Sequence, residues 1–155
     1  MRTVLISLAA AAAAVATPAL ANEARVEARG GVIWGGGDTE ATVGAAAGYD
    51  FDLGSSAFAG AEVSGDKILT SGTKVGWGFT GRAGVKVGNG GKLYANGGYT
   101  TEFCDTCEGN WHVGAGYQQN LGNKLYGKVE YRHYLPVAAT TADADSIGVG
   151  LGLRF

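Results

Sequence analysis

From residue 25 to the end of the chain, apolar and polar side chains alternate almost continuously. A period of two indicates a β-strand with two unlike faces, because successive side chains point to opposite sides of a sheet. The alternation predicts eight strands of about 8 to 14 residues and no helix after residue 21. The predicted strands cover residues 25–34, 41–53, 57–64, 75–88, 93–103, 111–121, 125–135 and 145–155.

Residues typical of turns separate these strands. The breaks at 54–56, 89–92 and 122–124 are short, whereas those at 35–40, 65–74, 104–110 and 136–144 are longer. Short connections between consecutive strands favour an antiparallel, up-and-down order. We expect the short turns to face the periplasm and the longer loops to face the outside, as in outer-membrane barrels.

The two faces of the strands differ in composition. One face carries no Asp, Glu, Lys or Arg and includes Val43, Val85 and Leu151. The other holds many of the chain's 28 glycines. It also holds the charged strand residues, namely Arg25, Glu27, Arg29, Asp50, Asp52, Glu62, Arg82, Lys86, Glu102, Lys128, Glu130, Arg132 and Arg154.

Two architectures accommodate such a sheet. A soluble barrel of the lipocalin type turns its apolar face inward, whereas a transmembrane barrel turns it toward lipid. The glycines favour the second, because an eight-stranded interior is narrow and glycine leaves room there for long charged side chains. The sequence therefore predicts an all-β protein, an eight-stranded antiparallel transmembrane β-barrel with a charge network in its lumen.

The first 21 residues predict a cleaved secretory signal peptide. Arg2 supplies a positive charge, residues 4–16 are apolar and rich in alanine, and Ala19-Leu20-Ala21 forms a cleavage site. A membrane anchor is the alternative, but the apolar run is shorter than the roughly 20 residues a spanning helix needs. The mature barrel domain would cover residues 22–155 and lie in the outer membrane of a Gram-negative cell.

Charge and cysteine content limit the chemistry of the protein. A net charge of −2 argues against a nucleic-acid binder, and no motif calls for a cofactor. Cys104 and Cys107 favour a disulfide in an exported loop, and a redox pair is an alternative. A zinc site is a further alternative if Glu102 and His112 lie opposite each other across the hairpin.

Aromatic side chains gather near the ends of the predicted strands, where the two interfaces of a membrane would lie. The three tryptophans fall at the outer ends of the strands, and four other aromatic residues fall at the periplasmic ends. The predicted belts comprise Trp34, Trp77 and Trp111 on one side, and Tyr49, Phe51, Tyr117 and Phe155 on the other.

Four segments resemble the small outer-membrane β-barrel family of OmpX-like, opacity-protein-like and porin-family domains. They are Gly48-Tyr49-Asp50-Phe51, residues 58–63, residues 125–132 and residues 148–155. The resemblance implies that the barrel-assembly machinery reads the C-terminal aromatic strand, which makes Phe155 the candidate assembly signal.

We expect a non-enzymatic structural or surface-interaction role in the envelope. His133 faces lipid and Ser146 faces the lumen, so no serine lies beside a histidine base. A narrow pore for small solutes is the alternative, and a soluble ligand carrier is a third class. The expected partners are outer-membrane lipid and lipopolysaccharide, the secretion machinery and the barrel-assembly machinery. The acidic residues near the outer loops are interpreted as a solvated rim, with divalent-cation binding as the alternative. They are Asp38, Glu40, Asp66, Asp105, Glu108, Asp143 and Asp145.

Overall fold

The computed structural model describes residues 22–137 and 143–155, which form eight β-strands. The predicted signal peptide lies outside these residues. The strands are β1 (Glu23–Gly35), β2 (Asp38–Leu53), β3 (Ala57–Ile68), β4 (Val75–Val87), β5 (Gly91–Thr100), β6 (Asn110–Asn120), β7 (Leu125–Pro136) and β8 (Ala144–Arg154). Within the described part of the chain, no helix is long and apolar enough to cross a bilayer.

The strands close into a barrel in sequence order, and every neighbouring pair is antiparallel. The seam joins β1 to β8, where Arg25 lies opposite Arg154. At its end, the amide of Phe155 donates to the carbonyl of Ala24 at 2.8 Å. The prediction of eight antiparallel strands in up-and-down order is confirmed, and closure leaves no unpaired edge among the described strands.

The two ends of the barrel differ in their connections. The turn end carries both described termini and the short connections 54–56, 88–90 and 121–124. The loop end carries the β1–β2, β3–β4, β5–β6 and β7–β8 connections. The predicted loop at 35–40 is wrong: Gly35 pairs with Asp38, which leaves a two-residue turn of Gly36 and Gly37. Both have positive φ (63° and 99°), as a tight hairpin turn requires.

The apolar face lies outside and the charged face inside. Val43, Val85 and Leu151 are each about half exposed, at 48%, 46% and 54%. Arg82 and Glu130 are buried, at 4% and 8%. A soluble barrel with an apolar interior would show the reverse, so this arrangement excludes the lipocalin alternative.

Candidate functional site: the barrel interior and its two ends

Four cations and four carboxylates form an ion-paired network that extends from the middle of the lumen toward the loop end. We call them the loop-end cluster: Arg25, Glu27, Arg29, Glu62, Asp66, Lys128, Glu130 and Arg132. Glu62 lies at its centre and accepts from Arg25 at 2.6 Å, Arg29 at 2.9 Å and Arg132 at 3.1 Å. Lys128 is ion-paired with Glu27. The equal numbers of charges offset most of the cost of burying ions in a narrow interior.

A second network, the turn-end cluster, lines the lumen toward the turn end. It consists of Glu23, Asp50, Asp52, Arg82, Lys86, Lys92 and Arg154. Asp50 accepts from Arg82 Nε and from Lys92 Nζ, both at 2.8 Å. Lys92 also donates to Glu23, which binds Arg154 at 3.2 Å. Arg25 Nε, 3.7 Å from Asp50, connects the two clusters, so ion pairing runs along most of the lumen.

Aromatic side chains share the lumen with these ions. Phe58, Tyr94 and Tyr126 are almost completely buried. The guanidinium of Arg82 lies over both Phe58 and Tyr94, with centroid distances of 5.4 and 4.8 Å. Such stacking compensates a buried cation further. The sequence did not identify these aromatic residues as interior, although they occupy the same alternating positions as the charges.

Glycines on the inner face provide room for these large side chains. A β-carbon at Gly48 would lie 2.6 Å from Arg25 Nη2, and one at Gly152 would lie 2.5 Å from Tyr126 Cζ. Real β-carbons do not approach so closely. The lumen is therefore filled because glycine on one strand accepts a long side chain from another.

The structure places all but one of the predicted lumen charges inside the barrel. The exception is Glu102, which lies beyond the end of β5 in the loop and pairs with Lys74 at 3.3 Å. Three lumen ions were missed, namely Glu23, Asp66 and Lys92. Asp66, which the sequence placed on the acidic rim, accepts from Arg29 Nε at 2.7 Å.

The predicted zinc ligands do not come together. In the β5–β6 hairpin His112 pairs with Gly98, so the expected position opposite Glu102 is wrong. His112 lies buried in the lumen, with its ring nitrogens 3.0 Å from Thr80 Oγ1 and 3.2 Å from Thr100 Oγ1. Cys104 and Cys107 form a disulfide in the β5–β6 loop. Among the described residues, no group of three or more His, Cys, Asp or Glu side chains is arranged to hold a metal.

Two loops are joined at the loop end. Lys74 donates its backbone N–H to the carbonyl of Phe103 at 2.7 Å, and its ammonium lies 3.2 Å from Asp105. Hydrogen bonds to Asp105 and Glu102 raise the pKa of Lys74. A backbone hydrogen bond and Lys74 lower the pKa of Glu102. Phe103 packs over Gly76 on the inner side of the wall.

The predicted aromatic belt residues lie near the two ends of the strands. Trp34, Trp77 and Trp111 are exposed at the loop end. Phe51, Tyr117 and Phe155 are exposed near the turn end, where Tyr49 packs against Phe51 at a centroid distance of 4.8 Å. These positions suit side chains at the two interfaces of a bilayer.

A polar group also lies on the outer wall near the loop end. His133 Nδ1 is 2.8 Å from Asp145 Oδ1, and the hydroxyl of Tyr131 donates to the same oxygen at 2.5 Å. Asp145, which the sequence counted among the acidic rim residues and placed at the start of the last predicted strand, belongs to β8 and lies directly opposite His133. Ser146 instead lines a cavity inside the barrel with Arg29 and Asp66, as the alternation predicted.

The described residues bound one cavity toward each end of the barrel. The one at the loop end has a volume of about 60 Å³ and is bounded by Arg29, Asp66, Phe103 and Tyr134. The other is a funnel of about 600 Å³ at the turn end, bounded by Lys86, Lys92 and Arg154 among others. The first holds only a few water molecules, whereas the second is open to solvent.

A closed barrel with an apolar outside and an ion-paired lumen defines the class of transmembrane β-barrels. The chain belongs to the outer membrane protein beta-barrel domain family, whose sequence profile matches residues 7–155. Members of this class lie in the outer membrane. A search of curated proteins gave no significant match.

Solved structures share the fold at low sequence identity. Neisserial surface protein A is 10% identical with a TM-score of 0.59, and the match covers 86% of this chain and 95% of that one. The N-terminal barrel of Pseudomonas aeruginosa OprF is 15% identical with a TM-score of 0.55, covering 86% and 97%. The outer membrane enzyme PagL is 16% identical with a TM-score of 0.56, covering 83% and 97%. At these identities the similarity concerns the fold alone.

Proposed function

We propose that the protein is a non-enzymatic component of the outer membrane with a structural or surface-interaction role. Its apolar wall anchors it in lipid, and its loops are the part available to the outside. The turn end faces the periplasm and the loop end faces the exterior. The proposed partners are outer-membrane lipid, including lipopolysaccharide, and the secretion and barrel-assembly machineries.

Burial of the ions in the middle of the lumen carries this proposal. The side chains of Arg25, Glu27 and Asp50 have no exposed surface. Side chains that border a continuous water channel would be accessible to water along it. The ion pairs that close this section are buried and held by several partners each, so opening it would require charges to separate in a low-dielectric interior.

Planar-bilayer recording of the folded protein tests the closed lumen. We expect no discrete conductance steps over the voltage range in which a known porin conducts in the same apparatus. Folding is checked independently by the altered gel mobility of the unheated protein. Reproducible unitary steps from such a sample would overturn the proposal and support the alternative role.

That alternative is a narrow passive pore for small solutes. The turn-end funnel of about 600 Å³ and the glycine-rich inner wall favour it. Eight strands nevertheless leave an interior that side chains fill, whereas aqueous porins have sixteen or more. We therefore rank the pore second.

An enzymatic role is not part of the proposal, although PagL shares the fold. His133 projects from the outer wall while Ser146 lines the interior, so the two do not form a nucleophile and base. Outer-membrane lipid from cells with and without the protein should have the same mass spectrum. A modified lipid species that depends on the protein would contradict this expectation.

Export and assembly form the last part of the proposal. Removal of the leader after Ala21 would make Asn22 the first residue, which N-terminal sequencing of the membrane-extracted protein tests. Phe155 is 67% exposed beside the seam, which leaves its ring accessible to the assembly machinery. We expect deletion of Phe155 to lower the amount of folded barrel in the outer membrane, whereas substitution of Phe51 by leucine should not.

A further inference from the structure

Tyr131, His133 and Asp145 form a polar group on the outer wall, which we call the wall site. Asp145 and Lys67 are the two charged side chains at outward-facing strand positions in the described part of the chain. An ionisable side chain on a lipid-facing wall is costly and is retained where it has a role. The wall site therefore requires an explanation that anchoring in lipid does not supply.

The geometry of the wall site fixes the roles of its atoms. Both Tyr131 Oη and His133 Nδ1 bind Asp145 Oδ1, at 2.5 and 2.8 Å. An ionised carboxylate only accepts hydrogen bonds, so His133 carries its proton on Nδ1. The side chains of His133 and Asp145 are about one third exposed. The site is thus preorganised on two paired strands and still accessible from outside.

Two atoms of the wall site remain available to a ligand. Within the described residues, Asp145 Oδ2 and His133 Nε2 take part in no hydrogen bond, and Nε2 lies 4.0 Å from Asp143 Oδ2. Asp143 and Asp145 make the local charge negative whether or not His133 is protonated. A bare phosphate is therefore repelled, whereas hydroxyl and amine donors are attracted.

The surroundings of the wall site indicate where such donors come from. Asp145 lies directly opposite Trp34 of β1. On the other side, His133 pairs with Val113 of β6, and Trp111 lies two residues from Val113 on the same strand. Exposed tryptophans mark the membrane interface, where lipid headgroups lie. If the loop end faces outward, as the proposed function requires, these headgroups belong to the outer leaflet.

We propose that the wall site binds the sugar headgroup of an outer-leaflet glycolipid. Asp145 Oδ2 accepts from a sugar hydroxyl or amine, and the exposed indole of Trp34 offers a flat apolar surface to the sugar ring. Tyr131 and His133 hold the carboxylate in place. The bound lipid would keep its acyl chains against the apolar wall below, beside Ile147 and Val113.

Native mass spectrometry of lipid retained by the full-length protein tests the site. The protein is placed in phosphatidylglycerol nanodiscs with or without a phosphorylated diglucosamine lipid. Both lipids carry phosphate, and only the second carries sugar. We expect the sugar lipid to be retained selectively, and Asp145→Asn to weaken its retention about tenfold, the loss expected for a charge-assisted hydrogen bond.

Two matched variants provide controls. Tyr117→Phe removes a hydroxyl from the same lipid face at the turn end, where it bonds to Gln119, and should leave retention unchanged. Lys67→Gln removes the other outward-facing charge and should also have no effect. Tyr131→Phe should weaken retention, because it frees the carboxylate to move.

Several results would overturn the proposal. The first is equal retention of the sugar lipid by wild type and Asp145→Asn, and the second is equal retention of both lipids by the wild type. The third is loss of the sugar lipid on adding EDTA, because that loss indicates a cation bridge. The fourth is displacement of the sugar lipid by free glucosamine at equal concentration. Conductance of the same preparation is measured separately. Discrete steps with normal sugar-lipid retention would overturn the closed lumen and leave the wall site standing.

Discussion

Tyr126 on β7 donates a hydrogen bond of 2.8 Å to Glu27 on β1, a residue 99 positions earlier in the chain. The two strands are not neighbours, because β8 lies between them. The bond passes over Gly152 of β8, where a β-carbon would lie 2.5 Å from Tyr126 Cζ. A glycine on the intervening strand therefore permits two other strands to bond across the seam.

Replacing Gly152 should consequently disturb the closure of the barrel. We expect Gly152→Ala to lower the free energy of unfolding by about 1–3 kcal/mol, because the Tyr126 ring must move. Urea unfolding followed by tryptophan fluorescence in lipid vesicles measures the change. Gly81→Ala is the matched control, since its nearest neighbour is a carbonyl oxygen 3.7 Å away. Equal stability of the two variants would contradict the packing argument.

Removing the central carboxylate of the loop-end cluster should have a larger effect. Glu62→Gln leaves three arginines without their shared anionic partner, and we expect a loss of about 3–5 kcal/mol in unfolding free energy. Glu108→Gln, on an exposed loop residue, should change it by less than about 0.5 kcal/mol. The same urea titration measures both. A small effect of Glu62→Gln would indicate that water or ions replace the carboxylate.

A charge in the lipid-facing band should also destabilise the protein. Val149, 64% exposed on β8, lies in that band, so Val149→Arg should cost about 2–4 kcal/mol in a bilayer. Val137→Arg lies beyond the strands and should be tolerated. Folded yield in vesicles, read from gel mobility without heating, measures both variants. Normal folding of Val149→Arg would show that the outer wall is not in contact with hydrocarbon.

The contact between the β3–β4 and β5–β6 loops should depend on pH. A backbone hydrogen bond and Lys74 lower the pKa of Glu102. The ion pair between Glu102 and Lys74 is therefore fully formed above the ordinary carboxyl pKa, and it is lost as pH falls through the lowered pKa. Amide NMR shifts of Glu102 and Asp105, followed from about pH 7 to about pH 3, measure this loss. In Lys74→Gln the Glu102 transition should move to higher pH. An unchanged transition would contradict the assigned cause.

The two cysteines should be fully disulfide-bonded in the native protein. Cys104 and Cys107 close a very short loop, which limits the chain-entropy contribution to roughly 2 kcal/mol. Alkylation before and after reduction, read by mass spectrometry, should show no free thiol in the native protein and two after reduction. A native protein that reacts with the alkylating agent would contradict the bridge.

The alternation of the sequence was sufficient to predict the strands. Successive side chains of a strand face the buried lumen and the lipid in turn, so both environments select residues with a period of two. It could not define the strand ends, which depend on pairing with the neighbouring strand. Lys92 and Asp66 were missed for this reason, since each lies just outside a predicted strand. Phe58 and Tyr126 were missed for a different reason, because the interior was expected to hold charged side chains and glycine.

The candidate site depended on register, which sequence alone does not supply. The Glu102–His112 pairing assumed that β5 runs to residue 103, but it ends at Thr100, which shifts every pair of the hairpin. The wall site required the position of His133 opposite Asp145, which the sequence placed at the start of the last predicted strand and counted among the acidic rim residues without giving it a partner. The alternation along each strand therefore identifies which side chains point inward. Which of these side chains touch one another can be known only when the pairing of the strands is known.

The seam between β1 and β8 sets an order of events in biogenesis. The chain is synthesised from its amino end, so β1 exists long before its second partner, β8, has been made. During that interval the edge that will bond to β8 from Arg25 onward is open to pairing with any other extended chain. If the chain is exported as proposed, a periplasmic chaperone that covers β1 until β8 has emerged would prevent such pairing.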